Sequence, residues 1–196
     1  MQLSVARALV IALLASCLML PACAQLSGTI SIAGESREAQ RGAGVLVVLV
    51  PAMPEFDTRW DQLVNSYASQ VEQVLTSMPT KAQVAADNTL RRRRTDAQIE
   101  AIHIYNEYVQ RADQMIRAAA VATGTADDSG HYQLPWLRTG HYHAYAKFRT
   151  TNLWGVRGVV HDHYWFLPLK LSVLLPDLDF SERNEMWPFD GNFDRP

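Results

Sequence analysis

Four of the six histidines alternate in two pairs, His141 with His143 and His161 with His163. Alternation at period two puts both rings of a pair on one side of a β-strand. With Tyr142, Ala144 and Ala146 turned to a core, His141 and His143 turn away from it. Taking Val156, Val160, Tyr164 and Phe166 as inward positions of the later strand likewise turns His161 and His163 outward. A turn near Thr151 and Asn152 that pairs the strands antiparallel in an even-sum register sets His141 opposite His163 and His143 opposite His161. Opposed side chains have Cβ atoms about 5 Å apart, and zinc takes imidazole nitrogens at about 2.0–2.1 Å. Two or three of the rings can then close on one zinc ion, and copper or nickel accepts the same ligands. The competing reading is a half-exposed sheet face on which histidine is merely tolerated, with a twist or bulge near Gly155 and Gly158 separating the pairs. His103 stands apart, because helical spacing groups it with Gln110, Gln114 and Arg117 on a wet face.

The aromatic residues offer a second chemistry. Trp165 shares the outward parity of the histidines, and His131 has the equivalent parity on an earlier hairpin, so both are candidate ligand contacts. Trp136, Trp154 and Trp187 are able to stack on sugars if exposed in one groove, although aromatic residues of a sandwich also fill its core. Arg91 to Arg94 form a basic run that reads either as an attractor of anionic lipid or acidic partners or as a solvated linker. No H-E-x-x-H, G-x-S-x-G or phosphate-binding glycine loop is present, so the sequence predicts a protein that is not an enzyme.

The elements that must position these groups follow from period. Thr29 to Ile32 alternates, Gly34 to Gly42 is polar, and Val45 to Val50 is an unbroken apolar run, which reads as edge strand, turn and buried strand. From Asp57, a plausible N-cap, Trp60, Leu63, Val64, Tyr67, Val71, Val74, Leu75 and Met78 fall in one helical stripe. Pro79 stops that helix, a polar linker runs through Arg94, and Thr95-Asp96-Ala97-Gln98 has capping-box spacing for a second helix to about Val121. Its apolar arc carries Ile102, Tyr105, Val109, Ala112, Ile116 and Ala119. Strands then resume, divided by the turn-prone Asp127-Asp128-Ser129-Gly130 and Thr139-Gly140. The reading is α+β: a mainly antiparallel β-sandwich over residues 25–196 with a two-helix hairpin inserted at about 56–122.

GTISIAG...GAGVLVVLVP, TADDSGHYQLPWLRTGHYHAYA and DLDFSERN together resemble the carboxypeptidase-regulatory-like domain, a prealbumin-like β-sandwich. Gly130, Tyr132, Leu134, Gly140, Tyr142 and Ala146 occupy the positions at which that family repeats glycine, tyrosine, leucine and alanine. The resemblance covers the strands and skips the helices. It implies an exported, non-catalytic module with a carbohydrate-binding-like fold, of the kind that binds glycan or protein surfaces in the envelope. A catalytic relative of the prealbumin fold, hydroxyisourate hydrolase, ends in Tyr-Arg-Gly-Ser, whereas this chain ends Phe193-Asp194-Arg195-Pro196.

Arg7 ahead of the apolar run Ala8 to Leu20, followed by Pro21 and small residues, reads as an export signal over residues 1–24. The run is shorter than the roughly 20 residues a spanning helix needs. The sequence therefore predicts a periplasmic or secreted product without a transmembrane helix. Removing the leader takes away Arg7 and no acid, moving the formal net charge from −2 to about −3, which argues against a nucleic-acid partner. Both cysteines fall in this leader, so the fold is held by packing alone. Two processing routes fit: cleavage before Gln25 after Ala22-Cys23-Ala24, or a lipobox ending at Cys23 that leaves a membrane-anchored lipoprotein. Mass spectrometry of the mature N-terminus separates them, with free Gln25 expected from the first and a diacylglyceryl thioether on Cys23 from the second.

Overall fold

The computed structural model describes residues 23–33, 39–154, 157–172, 177–188 and 193. The export leader through Ala22 and the proposed side-chain directions of Val156 and Val160 lie outside the described residues. The first extended run comprises β1 (Cys23–Ala24), β2 (Ser27–Thr29) and β3 (Ser31–Ala33), followed by β4 (Ala39–Arg41) and β5 (Leu46–Pro51). Three helices come next: α1 (Pro54–Ser77), α2 (Lys81–Ala86) and α3 (Leu90–Ala118). The later strands are β6 (Ala122–Thr125), β7 (His131–Gln133), β8 (Leu137–Arg138), β9 (Gly140–Trp154) and β10 (Arg157–Leu171).

The apolar run of β5 is covered on both faces because it lies inside the antiparallel sheet β10-β9-β5-β6 with a different layer against each side. Val47 and Leu49 face the sandwich interior with Ala144, Ala146, Trp165 and Leu167. Val48 and Val50 face the helices with Tyr145, Tyr164 and Phe166. The opposing sandwich layer is the run β1 to β3, which pairs antiparallel with β8, β7 and β4. The returning segment Leu178 to Phe180 joins it: the Leu178 N–H donates to the Ser27 carbonyl at 2.9 Å and the Phe180 N–H to the Thr29 carbonyl at 2.8 Å. The result is an α+β fold of antiparallel sheets with an inserted helical layer.

The hairpin motif falls where its residue types require. Tyr132 and Leu134 are each 1% exposed and Ala146 fully buried, while Gly130 takes φ +79°, a left-handed conformation costly for any residue with a Cβ. Asp127 builds the preceding turn by accepting from the Ser129 and His131 backbone N–H groups at 2.8 and 3.0 Å and from the Ser129 hydroxyl at 2.6 Å. Those bonds, the hydroxyl's first, hold its carboxyl below the ordinary value.

The helical segment corrects three expectations. α1 begins at Pro54, not Asp57, with Met53 as N-cap; proline's fixed φ and missing N–H suit the first helical position. The polar linker is itself helical, and the capping box is at Thr80, whose hydroxyl accepts from the Gln83 N–H at 3.2 Å while the Gln83 carbonyl oxygen Oε1 accepts from the Thr80 N–H at 2.8 Å. Thr95 sits inside α3, where its hydroxyl donates to the Arg91 carbonyl at 3.1 Å. The basic run is therefore helical and not a linker, with Arg91, Arg92 and Arg93 exposed to solvent. Arg94 is buried and donates through Nη1 to the Pro79 carbonyl at 2.6 Å, closing the chain beyond the end of α1, so a tertiary partner outweighs the unfavourable dipole of cations at a helix start.

The buried stripe of α1 runs Phe56, Trp60, Tyr67, Val71, Val74, as its spacing predicts. In α3 it runs Ala101, Tyr108, Ala112, Ile116, and Ile102 remains 46% exposed. Aromatic rings fill the interlayer: Trp60 stacks on Phe166 at 4.3 Å, Tyr67 on Tyr108 at 4.5 Å and Trp187 on Tyr164 at 4.9 Å.

Among the described glycines the tightest setting is that of Gly28, where an added Cβ would run into the Leu178 carbonyl and backbone. Gly28→Ala is expected to cost about 2–3 kcal/mol as overpacking and to lower Tm by roughly 5–10 °C for a domain of this size, read by thermal denaturation; an unchanged midpoint would show that the returning segment does not close on β2.

Candidate functional site

The β9–β10 register decides which side chains can meet. The strands pair antiparallel from Arg157 opposite Trp154 to Leu171 opposite Gly140. His141 therefore faces Lys170 across the ladder, His143 faces Pro168, His161 faces Thr150 and His163 faces Phe148. The ladder continues beyond Thr151 and Asn152, so partner numbers sum to an odd value instead of an even one. Paired residues share a face, which puts His141 and His143 on the helix side of the sheet and His161 and His163 on the sandwich side. The four-imidazole patch is not formed, and among the described residues no three His, Cys, Asp or Glu side chains gather as a metal would need.

Each candidate residue has another setting. His143 packs on Phe166 at 4.8 Å and 13°, and its Nε2 lies 3.0 Å from Asp57 Oδ1, tying the first turn of α1 to the sheet. His141 and His161 are exposed. His163 is mostly buried, with Nε2 3.1 Å from the Thr150 hydroxyl and Nδ1 3.0 Å from Glu185 Oε2. This hydroxyl–imidazole–carboxylate row does not present a nucleophile to substrate, because Thr150 is 2% exposed. It is a clasp: Glu185 Oε1 also accepts the Tyr164 N–H at 3.2 Å. Trp165, expected outward, is fully buried in the sandwich core and donates its indole N–H to the Ser181 carbonyl at 2.9 Å. The same register shift reverses its face. His131 is exposed on β7 beside Thr29, away from Trp165. Cys23 is exposed, opposite Arg138.

The helix side of β9 and β10 carries a group of ionic residues that the sequence reading did not assemble. Tyr145, Lys147 and Arg149 project at period two from β9, Asp162 and Tyr164 answer from β10, and Asp113 and Arg117 stand one helical turn apart on α3. Arg149 grips Asp162 through Nε and Nη2 at 2.6 and 2.9 Å, with Lys147 Nζ at 3.6 Å and the Tyr164 hydroxyl donating at 3.3 Å. Lys147 also lies over the Tyr164 ring, 5.0 Å from its centroid. Asp113 accepts from Arg117 Nε at 2.7 Å and from the Tyr145 hydroxyl at 3.1 Å. Beside this network a groove of about 400 Å³ opens between the α3 residue Arg117, the turn Ala43 to Leu46, and Tyr145, Lys147 and Arg149.

Partners and burial bias the ionisation of Asp162, Tyr145 and Tyr164. Arg149, hydrogen-bonded to Asp162, holds that carboxyl below its ordinary value against the opposing effect of burial. Burial, then the charge of Asp113, raises the Tyr145 phenol; burial, then Asp162, raises Tyr164. The carboxylate of Asp162 stays ionised and both phenols stay protonated at neutral pH.

No family profile matches the chain, and no curated protein matches it. Among solved structures, a candidate carbohydrate-binding protein from Pseudomonas aeruginosa is similar at 10% identity and TM-score 0.45, covering 82% of this chain and 89% of that one. The pilus backbone RrgB of Streptococcus pneumoniae is similar at 14% identity and TM-score 0.23, over 70% of this chain and 34% of that one. The full-length major pilin RrgB of the same organism gives the same identity and score over 25% of its length.

Because Asp162 titrates below its unfolded value, its contribution to stability is complete above the ordinary carboxylate pKa of about 3.9 and is lost as pH falls through the lower folded value. Asp162→Asn should cost about 1 kcal/mol at pH 7, an amount limited by the exposure of Arg149. The difference from wild type should vanish toward pH 2 in denaturant titrations; a pH-independent gap would mean the carboxylate charge is not what matters.

Proposed function

We propose that the chain is an exported, non-catalytic binding module of the bacterial envelope, whose ligand occupies the groove beside Tyr145, Lys147 and Arg149. The carrying observation is that groove: about 400 Å³, bordered by two preformed acid–base groups, Asp113 with Arg117 and Asp162 with Arg149. Its polar atoms are already oriented by one another, which lowers the ordering cost of binding. Tyr145 and Tyr164 are 1% and 5% exposed, so their ring faces are not offered for stacking and recognition rests on polar contacts. Closely spaced charged donors and acceptors suit the hydroxyl-rich surface of a glycan, and the family resemblance of the strand motifs leads to the same class by analogy.

Calorimetric titration with envelope oligosaccharides, alongside pull-down from envelope extract, tests this reading. Lys147→Ala with Arg149→Ala should weaken the ligand at least tenfold, the size of losing a hydrogen bond to a charged group. Capture of neither glycan nor envelope protein, or capture indifferent to the double substitution, rejects the groove as the site.

A further inference from the structure

Three of the large hydrophobic residues left in solvent sit at one end of the fold: Trp136 at 68%, Val121 at 52% and Met53 at 45% exposure. Their proximity follows from the backbone. Met53 continues from Ala52, whose N–H donates to the His141 carbonyl at 2.9 Å, and the Val121 N–H donates to the Leu49 carbonyl at 2.9 Å, so both flank the C-terminal end of β5. Trp136 directly precedes Leu137, which pairs with Ala24, and Arg138 pairs with Cys23. The Arg138 carbonyl accepts the Tyr142 hydroxyl at 2.8 Å, bringing β8 to the start of β9, next to the end of β5.

The charges at this end are Arg138, Lys170, Arg59 and Arg111 against Glu55 and Asp57, the latter bonded to His143. Arg138 and Lys170 are exposed, with Lys170 opposite the exposed His141. A hollow of about 610 Å³ between the start of α1 and the end of α3 is lined by Met53, Phe56 and Met115 together with Arg59 and Arg111. Glu55 is the acid among its lining residues.

We propose that this end, bearing Trp136, Met53, Val121, Arg138, Lys170 and Arg59, is a docking surface for an anionic phospholipid bilayer. Tryptophan has an apolar body and one N–H donor, the combination that settles at the headgroup level of a membrane. Cations beside it are attracted to anionic headgroups. Exposed apolar side chains grouped with cations complement a lipid surface that joins an apolar interior to anionic headgroups. This surface is separate from the groove beside Lys147 and Arg149 and does not depend on its ligand.

The test is co-sedimentation of protein purified from an exporting host, and of its Cys23→Ser variant, which has no thiol for an acyl chain. Vesicles of phosphatidylethanolamine with phosphatidylglycerol are compared with neutral phosphatidylcholine vesicles. Cys23→Ser protein should bind the anionic vesicles with a blue shift of tryptophan emission. Adding Trp136→Ala should lower partitioning roughly tenfold or more, and each of Arg138→Glu and Lys170→Glu about fivefold or more. Trp136 is exposed, so an unchanged unfolding midpoint serves as the folding control. Absence of vesicle binding by Cys23→Ser protein, or binding untouched by Trp136→Ala, overturns the proposal, as does Trp136-dependent retention on a glycan matrix without vesicle binding.

Discussion

The continuous ladder between β9 and β10 governs how every other part of the molecule is used. Arg157 opposite Trp154 fixes the face of each later side chain, and a slip of one residue would reverse them all. Trp165 goes to the sandwich core, Tyr164 and Phe166 to the helices, and Asp162 to the same side as Arg149 and Lys147. One sheet thus serves two interiors, and Lys147, Arg149 and Asp162 form an ionic network on its helix side.

The helices complete what the sandwich alone would leave open. Val48, Val50, Tyr145, Tyr164 and Phe166 form an apolar surface on the outer side of the main sheet, too large to leave in water without an interaction partner. Phe56 and Trp60 of α1 cover one part, and Tyr108, Ala112 and Ile116 of α3 another. Trp187 enters the same layer from the C-terminal segment. That segment is positioned by the clasp of Glu185 on His163 and by the Phe166 N–H donating to the Met186 carbonyl at 2.9 Å. The ion-pair groove therefore has walls from α3 and the main sheet, so its shape depends on both.

Much of this was legible wherever one local period dominates. The valines of β5, the stripe of α1 and the Gly130, Tyr132, Leu134 hairpin fall as their spacing requires. The histidine site was not legible, because strand alternation fixes which residues share a face but not where a long hairpin turns. The ladder runs past Thr151 and Asn152 to Trp154 opposite Arg157, which changed the parity of every pair. The helical linker failed for another reason: Thr80 and Thr95 both carry capping-box spacing, and the choice depends on Arg94 reaching the Pro79 carbonyl, a contact between distant turns. The ionic network had a signal in Tyr145, Lys147, Arg149 at period two and Asp113, Arg117 at helical spacing, but the register was needed to bring Asp162 to it.

The junction of β2 with Leu178 to Phe180 bears on the order in which the molecule assembles. Ser27 bonds Asp177 at 2.6 Å and Thr29 bonds Asp179 at 2.7 Å, partners 150 residues apart. A chain emerging from its amino end holds the first strands without this border until Asp177 to Phe180 have appeared. Such distant pairing slows folding through the entropy of closing a long loop, so this border of the sandwich closes only after residues 177–180 are available, and the locally paired helices are free to form first.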